Sequence, residues 1–232
     1  MTDICRQKDR NLKEAVYESV KGDIEKSLVK LGTHTVNIKD REKRLNFIAR
    51  DFAQQTKHGR ENSVIITGSN RDRQELNTRV REILKENKAL TEGIKYSVAD
   101  RQGRTGIKQF SSGDKIMFLK NDSKLGVKNG QTGYIQAAST ESMVIKSGKK
   151  KYSVKLDEYK YIDYGYAMTT YKAQGITENK AFVHIDTAQK SLNSRNAYYV
   201  DISRARQEVK VYTDDKKELK ESARKDPPNK ES

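Results

Sequence analysis

The chain has 232 residues, which is enough for one large domain or two small ones, each with its own hydrophobic core. Its formal net charge of +15 at pH 7 favours nucleic acid as a partner, although a uniformly lysine-rich surface explains the charge about equally well. One cysteine and three separated histidines exclude a disulfide or a clustered metal site, and no apolar run approaches the ~20 residues of a membrane span, so we expect a cytoplasmic protein.

The first part of the chain alternates between helical and strand patterns. Apolar residues recur every three or four positions in the helical runs, and glycines or aspartates stand at the ends, as caps do. One compact β-branched run, SVIIT, is typical of a buried strand in a parallel sheet. The predicted elements are helices over 11–22 and 23–32, a strand over 33–38, a helix over 40–59, a strand over 63–67 and a helix from Asn70.

Between residues 94 and 160 the apolar spacing changes from helical to alternating, and seven glycines separate the short runs. Asn129-Gly130 predicts a tight turn, and residues 115–119 and 133–136 are predicted as paired strands. This pattern predicts a small β-barrel inserted into the α/β domain. The acidic pair Asp157-Glu158 lies inside this region, and we interpret it as a solvated turn and not as a magnesium site.

After residue 160 the α/β order resumes. The predicted elements are strands over 163–170, 181–186 and 209–213, with a helix over 196–206. Alternation of this kind predicts a parallel sheet with right-handed crossovers. We therefore expect one α/β domain formed by residues 1–93 and 161–215, interrupted by the insertion at 94–160, with residues 216–232 as a disordered tail or linker.

Three segments place cations, amides or hydroxyls where a strand or helix meets a loop, which is where parallel sheets bind ligands. They are ICRQ at 4–7, GYAMTTYKAQG at 165–175 and YYVDISRAR at 198–206. The second resembles the T-x-H-K-x-Q-G signature, and the third resembles the Y-V-A-L-S-R-A signature, of superfamily 1 helicases of the RecD/Pif1 type.

Two further segments resemble the same family in the same order. ICRQ is similar to the segment that supplies an arginine in those enzymes, and GDKIMFLKND with LGVKNGQTGYI is similar to the insertion before the T-x-H-K-x-Q-G signature. Within the family, the chain most resembles the helicase region of conjugative relaxases of the TraI and TraA kinds. The resemblance implies a RecA-like domain with an inserted SH3-like barrel, and ATP-dependent 5′ to 3′ unwinding of DNA.

The resemblance also implies roles for individual residues. Hydrolysis of ATP needs preplaced cations, and an arginine from a facing domain contributes a rate factor of ~10³ to 10⁵. We predict that Arg204 and then Arg6 serve as such catalytic arginines. The residues predicted to bind nucleotide are Gln7, Lys172, Gln174 and Gly175. The residues predicted to bind single-stranded DNA are Thr67, Asn70, Thr169 and Tyr171.

Alternative interpretations remain for several of these residues. Ser69 or Asn70 would serve equally well as the cap of the helix that follows. Six tyrosines between Tyr152 and Tyr171 either stack on bases or pack a sheet edge. Tyr171 stands where the family usually has histidine, so the coupling of DNA binding to ATP is open.

No G-x-x-x-x-G-K-[ST] phosphate loop occurs in the sequence, and neither does the histidine cluster of a strand-cutting relaxase. ATP and Mg²⁺ are therefore expected only when a missing N-terminal motor half completes the site, and the chain alone, a fragment or a truncated product, is expected to be inactive. The leading hypothesis is the second motor domain of a relaxase helicase, with single-stranded DNA and that N-terminal half or relaxase region as partners. The alternatives are a vestigial helicase domain that only binds single-stranded DNA or a protein, and, less strongly, a basic RNA-binding protein.

Overall fold

A computed structural model describes residues 7–222, and it confirms an α/β protein with a parallel sheet. The chain divides into two units, one formed by residues up to Leu76 together with those from Ala167, and one formed by Asn77–Tyr166. The helices are α1 (Arg10–Lys21), α2 (Ile24–Leu31), α3 (Arg41–Ala53), α4 (Lys57–Glu61), α5 (Asn70–Glu86), α6 (Thr170–Ala173), α7 (Arg195–Ile202) and α8 (Lys216–Ser222). The strands are β1 (Thr35–Asn37), β2 (Ser63–Thr67), β3 (Ile94–Ala99), β4 (Thr105–Phe110), β5 (Lys115–Phe118), β6 (Thr132–Ala138), β7 (Ser142–Ser147), β8 (Lys150–Lys155), β9 (Ile162–Tyr164), β10 (Ala167–Thr169), β11 (Glu178–Ile185) and β12 (Ala205–Thr213).

The predicted cap of the second helix, Asp23, is confirmed, and Asp40 and Asp9 cap the third and first helices in the same way. The side chains of Asp9, Asp23 and Asp40 accept hydrogen bonds from backbone amides of the following turns, at 2.8, 2.9 and 2.7 Å. Each such cap stabilises its helix by about 1 kcal/mol. Gly22 ends α1 with φ of +85°, a conformation that residues with a Cβ rarely adopt.

The first unit contains a five-stranded sheet in the order β1-β12-β11-β2-β10, and all neighbouring strands are parallel. Their carboxyl ends therefore meet at one edge, the carboxyl edge, and their amino ends meet at the opposite amino edge. The helix predicted over 196–206 is wrong at its end. It stops at Ile202, and Ala205 already pairs with Glu178 of β11.

Helices cover the two faces of this sheet. On one face, Phe52 of α3 packs edge-on against Phe182 of β11, with their ring centroids 5.6 Å apart. Helix α5 begins on that face, because Arg41 of α3 and Asp72 of α5 are hydrogen-bonded. Helix α7 packs on the other face, where Tyr198 lies near Ile185. The adjacent strands β2 and β11 thus continue into helices on opposite faces, which creates the crevice where open α/β sheets bind ligands.

The second unit is antiparallel. Strands β3 and β4 form a hairpin, and the remaining five strands form a sheet in the order β8-β7-β6-β5-β9. The predicted pairing of 115–119 with 133–136 is confirmed by the β5–β6 ladder. Hairpin and sheet share one apolar core that includes Phe110, Phe118 and Val154. A closed SH3-like barrel stays a prediction.

The side chains of the second unit answer two of the open alternatives. Tyr152, Tyr159 and Tyr166 are buried, so packing accounts for them. Asp157 and Glu158 lie in an exposed turn, as predicted, and Glu158 pairs with Lys155.

The structure differs from the prediction at residues 163–170 and at residues 216–222. The strand predicted over 163–170 is two strands, because β9 pairs with β5 and β10 pairs with β2. Residues 216–222, predicted to belong to the tail, form α8. Asp215 caps this helix by accepting from the amides of Lys217 and Glu218, and Leu219 is buried. One buried leucine in a charged run is too weak a signal to predict a packed helix.

Candidate functional site

The loop after β2 lies at the carboxyl edge and carries two of the predicted DNA contacts. The Thr67 side chain is fully buried, with its Oγ1 3.0 Å from His184 Nδ1. Ser69 caps α5 by accepting from the Asp72 amide at 3.1 Å, which confirms capping for Ser69. Asn70 is exposed, and its Oδ1 accepts from Arg73 Nε at 3.3 Å. The backbone of this loop therefore leads directly into the N-terminus of α5.

A buried polar network holds the loop from behind. Arg44 Nε donates to His184 Nε2 at 3.0 Å, and Arg44 Nη2 pairs with Asp186 at 2.9 Å. Because a guanidinium only donates, His184 Nε2 is the accepting nitrogen, and Nδ1–H donates to Thr67. Burial lowers the pKa of His184 to about 4, against the opposing charge of Asp72, and the charge of Arg44 lowers it further. The ring is therefore neutral at neutral pH.

Asp72 is the second anchor of this network. Its carboxylate accepts from Ser69 Oγ and from Gln189 Nε2, both at 2.7 Å, and it pairs with Arg41. Burial alone would raise the pKa of Asp72, but these hydrogen bonds hold it below its ordinary value. Sequence reasoning missed Asp72, Arg44 and His184; the available signal was a histidine inside the apolar strand AFVHID.

The connection from β10 to β11 runs from the carboxyl edge to the amino edge. Thr169 ends β10 in register with Thr67 and is buried. Tyr171, on the short helix α6, is 77% exposed, and Lys172 beside it is partly buried. Gln174 and Gly175 follow as exposed residues, and Gly175 has φ of +89°. One eight-residue connection, 170–177, thus joins the predicted DNA contacts to the predicted nucleotide contacts.

At the amino edge the structure brings together Gln7, Arg204 and the residue after Gly175. Gln7 is buried, and its Nε2 donates to the carbonyls of Ser203 and Ala205, both at 3.1 Å. Arg204 Nη1 donates to the Ile176 carbonyl at 3.4 Å. Arg6, the other predicted catalytic arginine, lies outside the described residues.

The guanidinium of Arg204 faces the chain itself. It is 7% exposed, with Nε 2.9 Å from the Val200 carbonyl and Nη2 2.7 Å from Ser203 Oγ. These contacts hold Arg204 at the amino edge, and the guanidinium must leave them to reach a phosphate.

Asp201 is a buried carboxyl that sequence reasoning did not single out. Thr170 Oγ1 donates to Asp201 Oδ2 at 3.2 Å, and Oδ1 has no hydrogen-bond partner among residues 7–222. Complete burial raises the pKa of Asp201 to about 7, although the Thr170 hydrogen bond and the Arg204 charge lower it. Asp201 also lines a small cavity with Gly68 and Tyr198 in the crevice at the carboxyl edge.

The described part of the chain, residues 7–222, has neither a candidate metal site nor a candidate membrane span. It contains no group of three or more histidine, cysteine or acidic side chains arranged to hold a metal ion. None of its helices is long and apolar enough to cross a membrane.

No protein-family model matches the chain, but individual proteins are similar to it. Conjugal transfer protein TraA of Agrobacterium fabrum is 31% identical over 219 residues, which cover 90% of this chain and 19% of TraA. Multifunctional conjugation protein TraI of Escherichia coli is 29% identical over 133 residues, which cover 55% of this chain and 7% of TraI. The chain therefore spans a fifth or less of the length of these relatives.

Solved structures show the same fold. Pif1 of Bacteroides bound to single-stranded DNA superposes with a TM-score of 0.60 and 15% identity, covering 96% of this chain and 53% of Pif1. The α/β unit with its parallel sheet is therefore RecA-like, as in Pif1 helicases.

Proposed function

Because the chain is homologous to part of the conjugative relaxases TraA and TraI and has the RecA-like fold of Pif1 helicases, we propose that it is the second motor domain of an ATP-dependent 5′ to 3′ DNA helicase that acts in conjugal transfer. In this role it binds single-stranded DNA and supplies arginine to ATP that is held by a separate RecA-like domain with a phosphate loop.

One observation carries the proposal. Three segments that resemble helicase signatures are far apart in the sequence, yet hydrogen bonds join them in the fold. Gln7 binds the carbonyls of Ser203 and Ala205, Arg204 binds the carbonyl of Ile176, and Thr170 binds Asp201. Hydrogen bonds of this kind are one physical route by which nucleotide state is coupled to movement on DNA.

We assign single-stranded DNA to the carboxyl edge. The loop Gly68–Asn70 presents backbone amides at the N-terminus of the long helix α5, where an anion such as a phosphate is stabilised. Tyr171 projects into solvent close by and offers a ring for base stacking. Because the Thr67 hydroxyl is engaged with His184, we assign Thr67 to positioning this loop, together with the buried Thr169.

We assign the nucleotide to the amino edge. Arg204 is the cation there that would meet charge on the transferred phosphoryl group, and Arg6 is the second candidate. Gly175 leaves open space, since no described atom lies within 4 Å of where its Cβ would stand, so a ligand can approach the backbone closely. Gln7, Lys172 and Gln174 complete the proposed contacts. These residues fit one side of ATP and Mg²⁺, and the separate domain supplies the other.

Complementation tests the proposal. The chain is mixed with a matching N-terminal motor half that carries a phosphate loop, and ATP hydrolysis is measured with and without oligothymidylate. We expect DNA-stimulated hydrolysis only in the mixture, and its loss, by a factor of ~10³ or more, in Arg204→Ala. Normal turnover by Arg204→Ala would show that Arg204 is not the arginine supplied to ATP.

A second candidate function is a vestigial helicase domain that binds single-stranded DNA without supporting hydrolysis. The inward hydrogen bonds of Arg204 favour it, because they hold the guanidinium away from any ligand. The same mixture separates the two functions. A binding module retains salt-sensitive DNA binding but gains no ATPase from any phosphate-loop partner.

A further inference from the structure

Asp201 is a buried acid at a position where the Y-V-A-L-S-R-A signature has alanine. Its side chain is 4% exposed, and burying a carboxyl group is costly unless hydrogen bonds compensate. A simple packing role would be served better by the alanine of the signature. We therefore look for the role of the Asp201 carboxyl group in the hydrogen bond that it accepts.

That partner is Thr170, the first residue of α6. Its hydroxyl donates to Asp201 Oδ2 at 3.2 Å. Thr170 stands between Thr169, which ends β10, and Tyr171, which is assigned to DNA. A displacement of α6 when Tyr171 contacts DNA would therefore change the hydrogen bond between Thr170 and Asp201.

Asp201, the acceptor of this hydrogen bond, lies close to Arg204 in the sequence. Asp201 lies in the last turn of α7, and Arg204 follows it by three positions. The same turn also holds the guanidinium of Arg204, because Arg204 Nε donates to the carbonyl of Val200, the residue before Asp201. A shift of this turn moves the backbone group that holds the guanidinium inward.

We propose that Asp201 is a positioning residue that links α6 to the last turn of α7, so that DNA bound beside α6 changes the position of Arg204. This inference rests on the proposed function for its DNA step. The link itself is a property of the chain and is measurable without DNA.

Hydrogen–deuterium exchange of the full chain tests the link. Thr170→Val removes the donor with little change in shape, Asp201→Ala restores the signature residue, and Asp201→Asn keeps an acceptor. The comparison is made without DNA at about pH 4, where the buried Asp201 carboxyl is protonated and its charge does not contribute. There we expect Thr170→Val and Asp201→Ala to raise exchange of amides 198–204 about fivefold, the factor set by one ordinary hydrogen bond. Asp201→Asn should stay near wild type.

Thr56→Val is the matched control, because it also removes a hydroxyl hydrogen bond in the same unit, the cap of α4. It should leave amides 198–204 unchanged. Equal effects of Thr56→Val and Thr170→Val, or no effect of Thr170→Val and Asp201→Ala, would overturn the link.

Adding oligothymidylate tests the DNA step. In wild type, DNA should slow exchange in both 169–175 and 198–204, whereas in Thr170→Val it should slow only 169–175. Protection of both segments in Thr170→Val would overturn the DNA step. A wild-type chain that does not bind oligothymidylate overturns the proposed function and this step together, while the DNA-free comparison still decides the link.

Discussion

The Asp201→Asn variant should be more stable than wild type, by an amount that grows as the pH rises. The pKa of Asp201 is raised to about 7 by burial, from an ordinary value near 3.8 in the unfolded chain. Between these two values the folded state binds more protons than the unfolded state, so the free energy of unfolding falls as pH rises. Above the folded pKa the whole cost of an ionised, buried carboxyl is present.

The size of this effect follows from the two pKa values. A difference of about 3 pH units corresponds to about 4 kcal/mol, at 1.36 kcal/mol per unit, as an upper limit. Asparagine keeps an acceptor for Thr170 and carries no charge, so its stability lacks this pH dependence. The difference between variant and wild type should therefore grow from near zero at about pH 4 to a few kcal/mol at about pH 8.

Urea unfolding followed by far-ultraviolet circular dichroism measures the difference at each pH. Other titrating groups are common to both proteins and cancel in the comparison. Asp157→Asn, which changes an exposed carboxyl in a turn, is the matched control and should track wild type. Parallel stability curves for wild type and Asp201→Asn across this range would show that Asp201 does not carry a raised pKa in the folded state.

Three other predictions concern single residues. Tyr171→Ala should weaken oligothymidylate binding by about 1–3 kcal/mol, measured by fluorescence anisotropy, while Tyr17→Ala, at a partly exposed tyrosine of α1, leaves it unchanged; equal losses would contradict the stacking role. Gly175→Ala should lower the free energy of unfolding by about 1–2 kcal/mol because φ is +89° there, and an unchanged urea midpoint would contradict this. The pKa of His184 is lowered to about 4 by burial, so wild type should lose up to about 3 kcal/mol of stability as pH falls from about 6.5 to about 4. His184→Gln should lack that loss, and an equal loss in the variant would refute the assignment.

Local signals were sufficient to predict much of the fold. The run SVIIT predicted β2 because a buried parallel strand is apolar on both faces. Asp23 and Asp40 marked the starts of α2 and α3, because a carboxylate satisfies the free amides of a first turn, and apolar spacing with Gly22 at its end predicted α1. Each of these features depends only on neighbouring residues, so the sequence carries it in full.

Features that depend on distant residues were not predicted. Ala205 reads as helical in isolation, and only its pairing with Glu178 makes it the start of β12. The contact of His184 with Arg44 joins residues 140 positions apart. The inward orientation of Arg204 depends in the same way on the carbonyl of Ile176. A signature marks a side chain as a candidate for a ligand site, but it predicts neither the edge of the sheet where the side chain lies nor the hydrogen bonds that hold it there.

In the proposed function, this chain responds to ATP held by another domain while it binds single-stranded DNA. The most direct measurement is the rate of ATP hydrolysis when the chain is mixed with a matching phosphate-loop-bearing motor half, with and without oligothymidylate. We expect hydrolysis that needs both proteins, rises with DNA and is lost in Arg204→Ala. A mixture that hydrolyses no more ATP than the motor half alone, although the chain binds the oligothymidylate, would contradict the proposed function.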